Sequence, residues 1–378
     1  SYTGGGIDWC GFSSGNFTLS NAIVENNVNV NGYGGGLNTD SAGGYNGTIR
    51  LDNVIFQNNR TQGTSNQESN GGGLNLFGEN PTVVIQNCQF LNNTVEKYFA
   101  VGGGMYLRLG YGGVITIENT LVQGNSSGSM GGGIYMNYAS AATGLTIQNN
   151  TRVLDNISGN AANGTAGGGG IVLDGVGSVT PATLSKIVVT GNSESALSDP
   201  LARQGGAGIW VGNANATISY SRIANNTLQS GSAGGSGLFK NSDARTVTAT
   251  NNWWGCSTGP SAAPCDTALL DPGSGILTFA PYLQVRTTAS PTTILTNQTS
   301  ALSATVNLNS AGTDVSANVE RLIGLPLAWS AVGGNISGSQ NAIQAGGTAT
   351  ATFTAAQAGA DTAAAKMDND STTAGSNV

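Results

Sequence analysis

The sequence contains the phrase Gly71-Gly72-Gly73-Leu74-Asn75-Leu76, and its motif, a glycine triplet before an apolar residue, recurs along the chain. Further copies, some degenerate, are Gly4–Ile7, Gly34–Leu37, Gly102–Met105, Gly131–Ile134, Gly168–Ile171, Gly206–Ile209 and Gly235–Leu238. Counted at the last residue before the apolar one, the spacings run from 29 to 38 residues. A repeat of this size is typical of a solenoid or array.

Each repeat has a second phrase, of which Ile49-Arg50-Leu51-Asp52-Asn53 is one copy. Apolar and polar residues alternate in it, which predicts a strand, and an apolar residue three positions later predicts a short third strand after a bend. Such units bury their apolar sides only by stacking. The sequence therefore predicts a parallel β-helix of eight coils, right-handed by the crossover rule and on the order of 40 Å long.

An asparagine recurs at the bend between the second and third strands. The column consists of Asn21, Asn53, Asn87, Asn119, Asn149 and Asn251, and Lys186 and Tyr220 interrupt it. Asparagine tolerates the left-handed conformation, and stacked amides can bond to one another. We expect an inward-facing ladder with a structural role. The glycine triplets are expected to take positive φ and turn the chain before each first strand.

Composition narrows the classes of function. The chain has 378 residues, 59 glycines, no histidine and a formal net charge of −7. This charge argues against nucleic acid as a partner, and no apolar run reaches the roughly 18 residues of a membrane-spanning helix. The chain begins at Ser1 without a charged leader, so any signal peptide is expected to have been removed or to lie upstream.

The four cysteines are too few for a disulfide-built scaffold. Cys256 and Cys265 lie nine residues apart in a loop rich in Gly, Pro and Ser, and we expect them to be bonded. Two free thiols in a cytosolic protein are the alternative. Cys10 and Cys88 lie in different repeats and are left unpaired.

The end of the β-helix is expected near Asn251-Asn252-Trp253-Trp254-Gly255-Cys256, where Trp253, Trp254 and the cysteine loop form a lid over the open stack. These repeats and this closing phrase resemble the right-handed β-helix segments of large bacterial surface proteins, the autotransporter, polymorphic outer-membrane and adhesin-like groups. The resemblance covers about residues 1–285, the first predicted domain. It implies a fold and says little about activity.

Composition changes after Pro281, where glycine triplets vanish and Ala and Thr increase. Short alternating segments such as Leu302–Leu308 and Thr348–Thr354 predict a β-sandwich over residues 288–378, the second domain, with Trp329 in its core. The segment Leu325–Ser330 with the later Gly346-Gly347 and Thr348–Thr354 resembles the Ig-like domains of invasin and intimin. The resemblance implies a spacer in a surface protein.

Polysaccharide lyases and hydrolases share the β-helix, so the outward faces are candidate positions for catalytic residues. Asp52 and Glu118 share an outward column two coils apart, roughly 9.6 Å at strand spacing. That separation suits an inverting pair of carboxylates, although Gln86 stands between them. A solvated face and a threonine-rich ice-binding face are the alternatives. Asp368-Asn369-Asp370 is one short acidic run that could bind Ca²⁺, but neither a metal nor a cofactor is predicted.

The outward column of the first strand is the sharpest binding candidate. It reads Asp8, Asn38, Asn75, Tyr106, Tyr135, Val172, Trp210 and Phe239. We expect Tyr106, Tyr135, Trp210 and Phe239 to form an exposed stripe for a glycan or a protein. The alternative is a satellite core under the chain's own loops. Long variable segments, Arg60–Asn70, Gly159–Gly167 and Ser193–Gln204, mark the expected working side.

Taken together, these patterns predict a secreted or cell-surface protein without catalytic activity. It would be a structural or adhesive subunit of a fibre or stalk that associates head to tail and binds glycans or other surface proteins. The alternatives are a polysaccharide lyase or hydrolase and a glycan-binding module that does not assemble. No nucleic acid and no membrane insertion are expected in this segment.

Overall fold

A computed structural model gives the fold of the chain. It describes residues 4–12, 14–30, 32–42, 45–63, 69–138, 143–175, 178–199, 201, 204–232, 234–241, 243–273, 275–370 and 376–377. The middle of the predicted variable segment Arg60–Asn70 and part of Ser193–Gln204 lie outside these residues. Over the rest the chain is all-β, and its first part is a parallel β-solenoid of about eight turns.

The first sheet of the solenoid contains the strands that follow the glycine motifs. Within the described residues it has nine parallel strands in coil order. They are Ile7–Phe12, Leu37–Ala42, Leu74–Gly78, Met105–Leu109, Ile134–Tyr138, Ile171–Gly175, Ile209–Val211, Leu238–Lys240 and Ala268–Leu270. Leu37, Leu74 and Met105, the apolar residues that follow the glycine motifs, stand opposite one another and are fully buried.

The second sheet contains the alternating strands and, around the bend, the short third strands. The alternating strands are Phe17–Glu25, Thr48–Gln57, Thr82–Gln86, Val114–Glu118, Gly144–Gln148, Ser178–Ser185, Ala214–Ser219, Thr246–Thr248 and Ile276–Thr278. The third strands are Gln89–Leu91, Leu121–Gln123, Arg152–Leu154, Val188–Thr190 and Arg222–Ala224, and the first two alternating strands continue through the bend to supply theirs. Strands of only two residues follow the third strands, at Val28–Asn29, Arg60–Thr61, Thr94–Val95, Ile157–Ser158 and Ser193–Glu194.

The bend asparagines have the predicted left-handed backbone but not the predicted orientation. Asn53 and Asn119 have φ of 55° and 47°. The side chains of the column are exposed, or half-buried at Asn251, so the prediction of an inward ladder is wrong. Their amides still bond in places, as from Asn53 Nδ2 to Asn21 Oδ1 (2.8 Å) and from Asn119 Nδ2 to Asn87 Oδ1 (2.7 Å).

The buried amide ladder consists of the second asparagine of each repeat. Its members, all buried except the half-buried Asn27, are Asn27, Asn59, Asn93, Asn125, Asn156, Asn192 and Asn226. In each coil both the backbone N–H and the side-chain Nδ2 donate to Oδ1 of the next member, as from Asn93 to Asn125 at 2.9 and 3.0 Å. Asn226 ends the series by donating its Nδ2 to the carboxylate of Asp266 at 2.7 Å.

The glycine triplet makes room for this ladder. Gly71, the first of its triplet, has φ of +70° as predicted. At Gly73, the third, a Cβ would lie 2.7 Å from the carbonyl oxygen of Gly104 and 3.1 Å from the amide of Asn93. The triplet therefore serves two needs, a left-handed turn at its start and close packing against the buried amides at its end.

The solenoid continues past the expected lid. Strands Ala268–Leu270 and Ile276–Thr278 extend both large sheets beyond Trp254, so the end lies about one coil later than predicted. Trp253 and Trp254 are both fully buried, but in different cores. Trp254 packs in the core of the solenoid, and Trp253 packs with Leu283 and other apolar residues of the C-terminal sheets.

The disulfide between Cys256 and Cys265 forms as predicted, and its Cα atoms lie 5.1 Å apart. Among the described residues Cys10 and Cys88 are free, the first exposed and the second buried.

The C-terminal region folds into two antiparallel sheets. The described strands of one are, in order, Arg286–Ser290, Thr299–Thr305, Thr348–Ala355 and Gly334–Ser337, and those of the other are Leu327–Val332, Thr362–Met367 and Ser376–Asn377. A 3₁₀ turn covers Ser316–Asn318. Apolar side chains of both sheets share one cluster, and Trp329 is half-buried at its edge.

Polar contacts tie these sheets to the solenoid. Asp368 accepts hydrogen bonds from Trp253 Nε1 (2.7 Å) and from Arg222 Nε (2.9 Å). Ser257 donates to Asp370 at 2.7 Å, and Lys186 forms an ion pair of 2.8 Å with Glu320. The acidic run considered for Ca²⁺ is thus engaged with the solenoid, and the described residues contain no cluster of three potential metal ligands.

Candidate functional site

The aromatic column of the first sheet is covered by its own chain. Tyr106, Tyr135, Trp210 and Phe239 are exposed by only 5, 8, 4 and 6%. They pack with Val101, Met130 and Val172 into a satellite core, and the rings of Tyr106 and Tyr135 stack with their centroids 5.9 Å apart. The expected exposed stripe is therefore wrong. Alternation correctly placed these side chains outside the main core, but the preceding loops fold over them.

The same outer face remains open nearer the N-terminal end, where a pocket of about 220 Å³ lies. Strand residues of three successive coils and two loop residues line it. The lining consists of Tyr33, Asn38, Asp40, Asn70, Asn75, Phe77, Tyr106 and Arg108. Tyr33 and Asn70 each immediately precede a glycine triplet, so the loops that enter the strands form the wall.

The strands position the polar floor of this pocket through their register. Asn38 stands between Asp8 and Asn75. Asn75 Nδ2 donates to Asn38 Oδ1 (2.7 Å), and Asn38 Nδ2 donates to Asp8 Oδ1 (2.8 Å). Both amides are almost fully buried, so this chain of hydrogen bonds holds the floor in one arrangement.

Two charged side chains flank an aromatic ring on the neighbouring outward column. Asp40, Phe77 and Arg108 stand opposite one another on successive coils. The guanidinium carbon of Arg108 lies 5.0 Å from the centroid of the Phe77 ring, a cation–π distance. Burial, and next the negative charge of Asp8, raise the pKa of Asp40.

Sequence reasoning identified Asn38, Asn75 and Tyr106 as outward residues but not as a pocket. It missed Asp40, Phe77 and Arg108, although these occupy the second outward position of the same strands. Counting two residues further along each strand would have found this column. Tyr33 and Asn70 lie in loops, where no periodicity marks the direction of a side chain.

The carboxylates considered for catalysis lie on the second sheet, on another face from the pocket. Asp52, Gln86 and Glu118 share a column as predicted. Hydrogen bonds from Asn87 and Gln86, and then Arg50, lower the pKa of Asp52. Glu118 accepts from Asn149 Nδ2 at 3.1 Å. A lowered pKa suits a permanently ionised carboxylate and does not suit a general acid.

The fold defines the class of the protein as a parallel β-solenoid with C-terminal antiparallel sheets. Comparison of the chain with protein-family models, with curated proteins and with solved structures gave no match. In the part of the chain that the structure describes, no helix has the length and apolar character needed to cross a membrane.

Proposed function

We propose that this chain is a non-catalytic structural or adhesive part of a secreted bacterial surface protein, a segment of a fibre or stalk. The observation that carries the proposal is the junction at Trp253. Trp253 lies in the part of the sequence that forms the solenoid, but its side chain packs among apolar residues of the C-terminal sheets. Its indole N–H donates a hydrogen bond to Asp368. A stalk must transmit force between its units, and a shared buried side chain with a charged clamp suits that task.

The finer assignment follows the resemblances in the sequence. We take the solenoid to be a right-handed β-helix of the autotransporter, polymorphic outer-membrane and adhesin-like kind, and the C-terminal sheets to be an Ig-like spacer. The Cys256–Cys265 disulfide supports an extracellular location, because such bonds persist in oxidising compartments.

Self-association is the second part of the proposal. Association would proceed by strand addition, because Ile7–Phe12 and Arg286–Ser290 lie at the edges of their described sheets.

Negative-stain images of the native material and light scattering of the purified chain test the proposal. We expect a short rod that associates as its concentration rises. A chain that stays monomeric and is absent from any surface structure contradicts it.

Incubation with neutral and acidic polysaccharides tests the rival enzymatic function. Release of reducing or unsaturated ends would establish a hydrolase or a lyase and overturn the non-catalytic assignment.

A further inference from the structure

The pocket on the first sheet holds two charged groups with unused hydrogen-bonding capacity. Among the described residues the carboxylate of Asp40 accepts no hydrogen bond and forms no ion pair, and no guanidinium N–H of Arg108 has an acceptor. Asp40 and Arg108 stand two coils apart, roughly 9.6 Å at strand spacing, with Phe77 between them. They are therefore held apart and can both contact one molecule that lies across Phe77.

The remaining surface of the pocket combines aromatic rings with amides. Tyr33, Phe77 and Tyr106 supply rings, and Asn38, Asn70 and Asn75 supply amides. The side-chain oxygen of Asn75 is buried without a donor. A matching ligand has an apolar face for the rings and several groups at its rim that both donate and accept hydrogen bonds. A sugar ring has this construction.

Size and charge narrow the class of ligand further. A volume of about 220 Å³ is below the roughly 300–1,000 Å³ typical of sites for drug-sized ligands, so the pocket suits one ring and not a chain of rings. Asp40 and Arg108 offset each other, and Asp8 adds a negative charge beside the floor through Asn38. An anionic sugar would meet net repulsion, whereas a neutral one would not.

We propose that this pocket binds one neutral sugar ring, the terminal or branching residue of a glycan. Asp40 accepts from hydroxyl groups of the sugar on one side, Arg108 donates to its oxygens on the other side, and the aromatic rings contact its C–H face. The inference does not depend on assembly into a fibre, since a monomeric chain has the same pocket.

Saturation-transfer NMR on the full 378-residue chain tests the inference. The probes are glucose, galactose, mannose and the two N-acetylhexosamines, with glucuronate and N-acetylneuraminate as acidic comparisons. We expect at least one neutral sugar to bind in the millimolar range. Asp40→Asn retains the shape of the side chain but removes its charge, and should weaken binding about tenfold. Phe77→Ala should weaken it by a similar factor.

Asp155→Asn is the matched control, because Asp155 is exposed on another face and the substitution makes the same change of charge. It should leave binding unchanged, and circular dichroism should show the same β signal for all variants. The inference is overturned if no neutral sugar binds, if only acidic sugars bind, or if folded Asp40→Asn and Phe77→Ala variants bind as tightly as the parent. The assay is independent of light scattering, so failure here is distinguishable from failure of the fibre proposal.

Discussion

The carboxylate of Asp368 accepts a hydrogen bond of 2.7 Å from the indole Nε1 of Trp253, 115 residues earlier in the chain. The same carboxylate receives the guanidinium of Arg222, and the side chains of that ion pair are only 9 and 13% exposed. One aspartate thus satisfies a buried indole and a nearly buried cation at the boundary between the solenoid and the C-terminal sheets.

Asp368→Asn should weaken this junction. The asparagine accepts the left-handed backbone at this position, where φ is 50°, but it turns an amide N–H₂ or a weaker acceptor toward Arg222. We expect a loss of about 2 kcal/mol in the free energy of unfolding, measured in urea, with the C-terminal sheets unfolding first. Asp155→Asn is matched in charge and in backbone, with φ of 55°, and should change stability by less than about 0.5 kcal/mol. Equal losses of stability in the two variants would argue against a stabilising role of the Asp368 contacts with Trp253 and Arg222.

Asn125→Ala should break the buried ladder. Asn125 Oδ1 accepts from both nitrogens of Asn93, and Asn125 Nδ2 donates to the carbonyl oxygen of Phe90 at 2.9 Å. Truncation leaves several buried polar groups unpaired, so we expect a loss of about 3 kcal/mol or more. Hydrogen exchange of the Asn93 amide should accelerate.

Asn119→Gly is the comparison for the ladder, since Asn119 is exposed with φ of 47° and glycine tolerates that conformation. Its effect should stay within about 1 kcal/mol. A larger loss of stability at Asn119 than at Asn125 would contradict the conclusion that the inner asparagine column contributes more to stability than the outer one.

Asp266 should make stability depend on pH. Burial raises its pKa from 3.8 to about 6 in the folded protein, against hydrogen bonds from Asn226. The folded state therefore binds more protons than the unfolded state between these values, and this residue's contribution to stability falls as pH rises from about 4 through 6. Other carboxylates with lowered pKa values act in the opposite direction.

The difference in the free energy of unfolding between the parent protein and Asp266→Asn isolates the contribution of Asp266. Urea unfolding at several pH values should show the parent losing stability relative to the variant as pH rises, by on the order of 3 kcal/mol across the window. Parallel stability curves for the two proteins would show that Asp266 has an ordinary pKa.

Cys88 should react only when the solenoid opens. It is buried, and desolvation raises the pKa of its thiol to about 11, whereas Cys10 is exposed. At pH 8 we expect a thiol reagent to modify Cys10 in the native protein and Cys88 only in denaturant, because Cys10 is exposed and the thiolate is the reacting species. Partial burial and the negative charges of Asp8 and Asp40 raise the pKa of Cys10, so its reaction should be slower than that of a free thiol. Peptide mapping identifies the sites, and rapid native modification of Cys88 would contradict its burial in this fold.

The stacking of coils could be predicted because alternation and glycine spacing are local signals. The orientation of the bend asparagines could not. Asn21 lies two residues after inward Leu19, so strict alternation places it inside. Its φ of 52° breaks the alternation and turns the side chain outward. The buried asparagines occupy the last position of each repeat phrase, so the sequence shows where they are. Their burial, however, depends on Gly36, Gly73 and the equivalent glycines that precede the strands of the first sheet.

The candidate site was less predictable than the fold. The alternation predicts that the side chains of Tyr135 and Trp210 point away from the main core, but it does not predict whether a loop covers them. The open part of the same face depends on Tyr33 and Asn70, whose side chains lie in segments without a period. Contacts between a loop and the next coil determine which part of the outer face is open, and such contacts have no pattern in a single sequence.

The hydrogen bonds from one asparagine side chain to the next in the inner column all run toward the C-terminal coils, and the series ends at a group that cannot donate. Each asparagine accepts from one neighbour and donates to the next, whereas an ionised aspartate can only accept. Asp266 therefore ends the series after Asn226. Whole coils can be gained or lost between Asn59 and Asn125 without altering this stop or the contacts of Lys186, Arg222 and Trp253, so the height of the column can change while its junction with the C-terminal sheets stays the same.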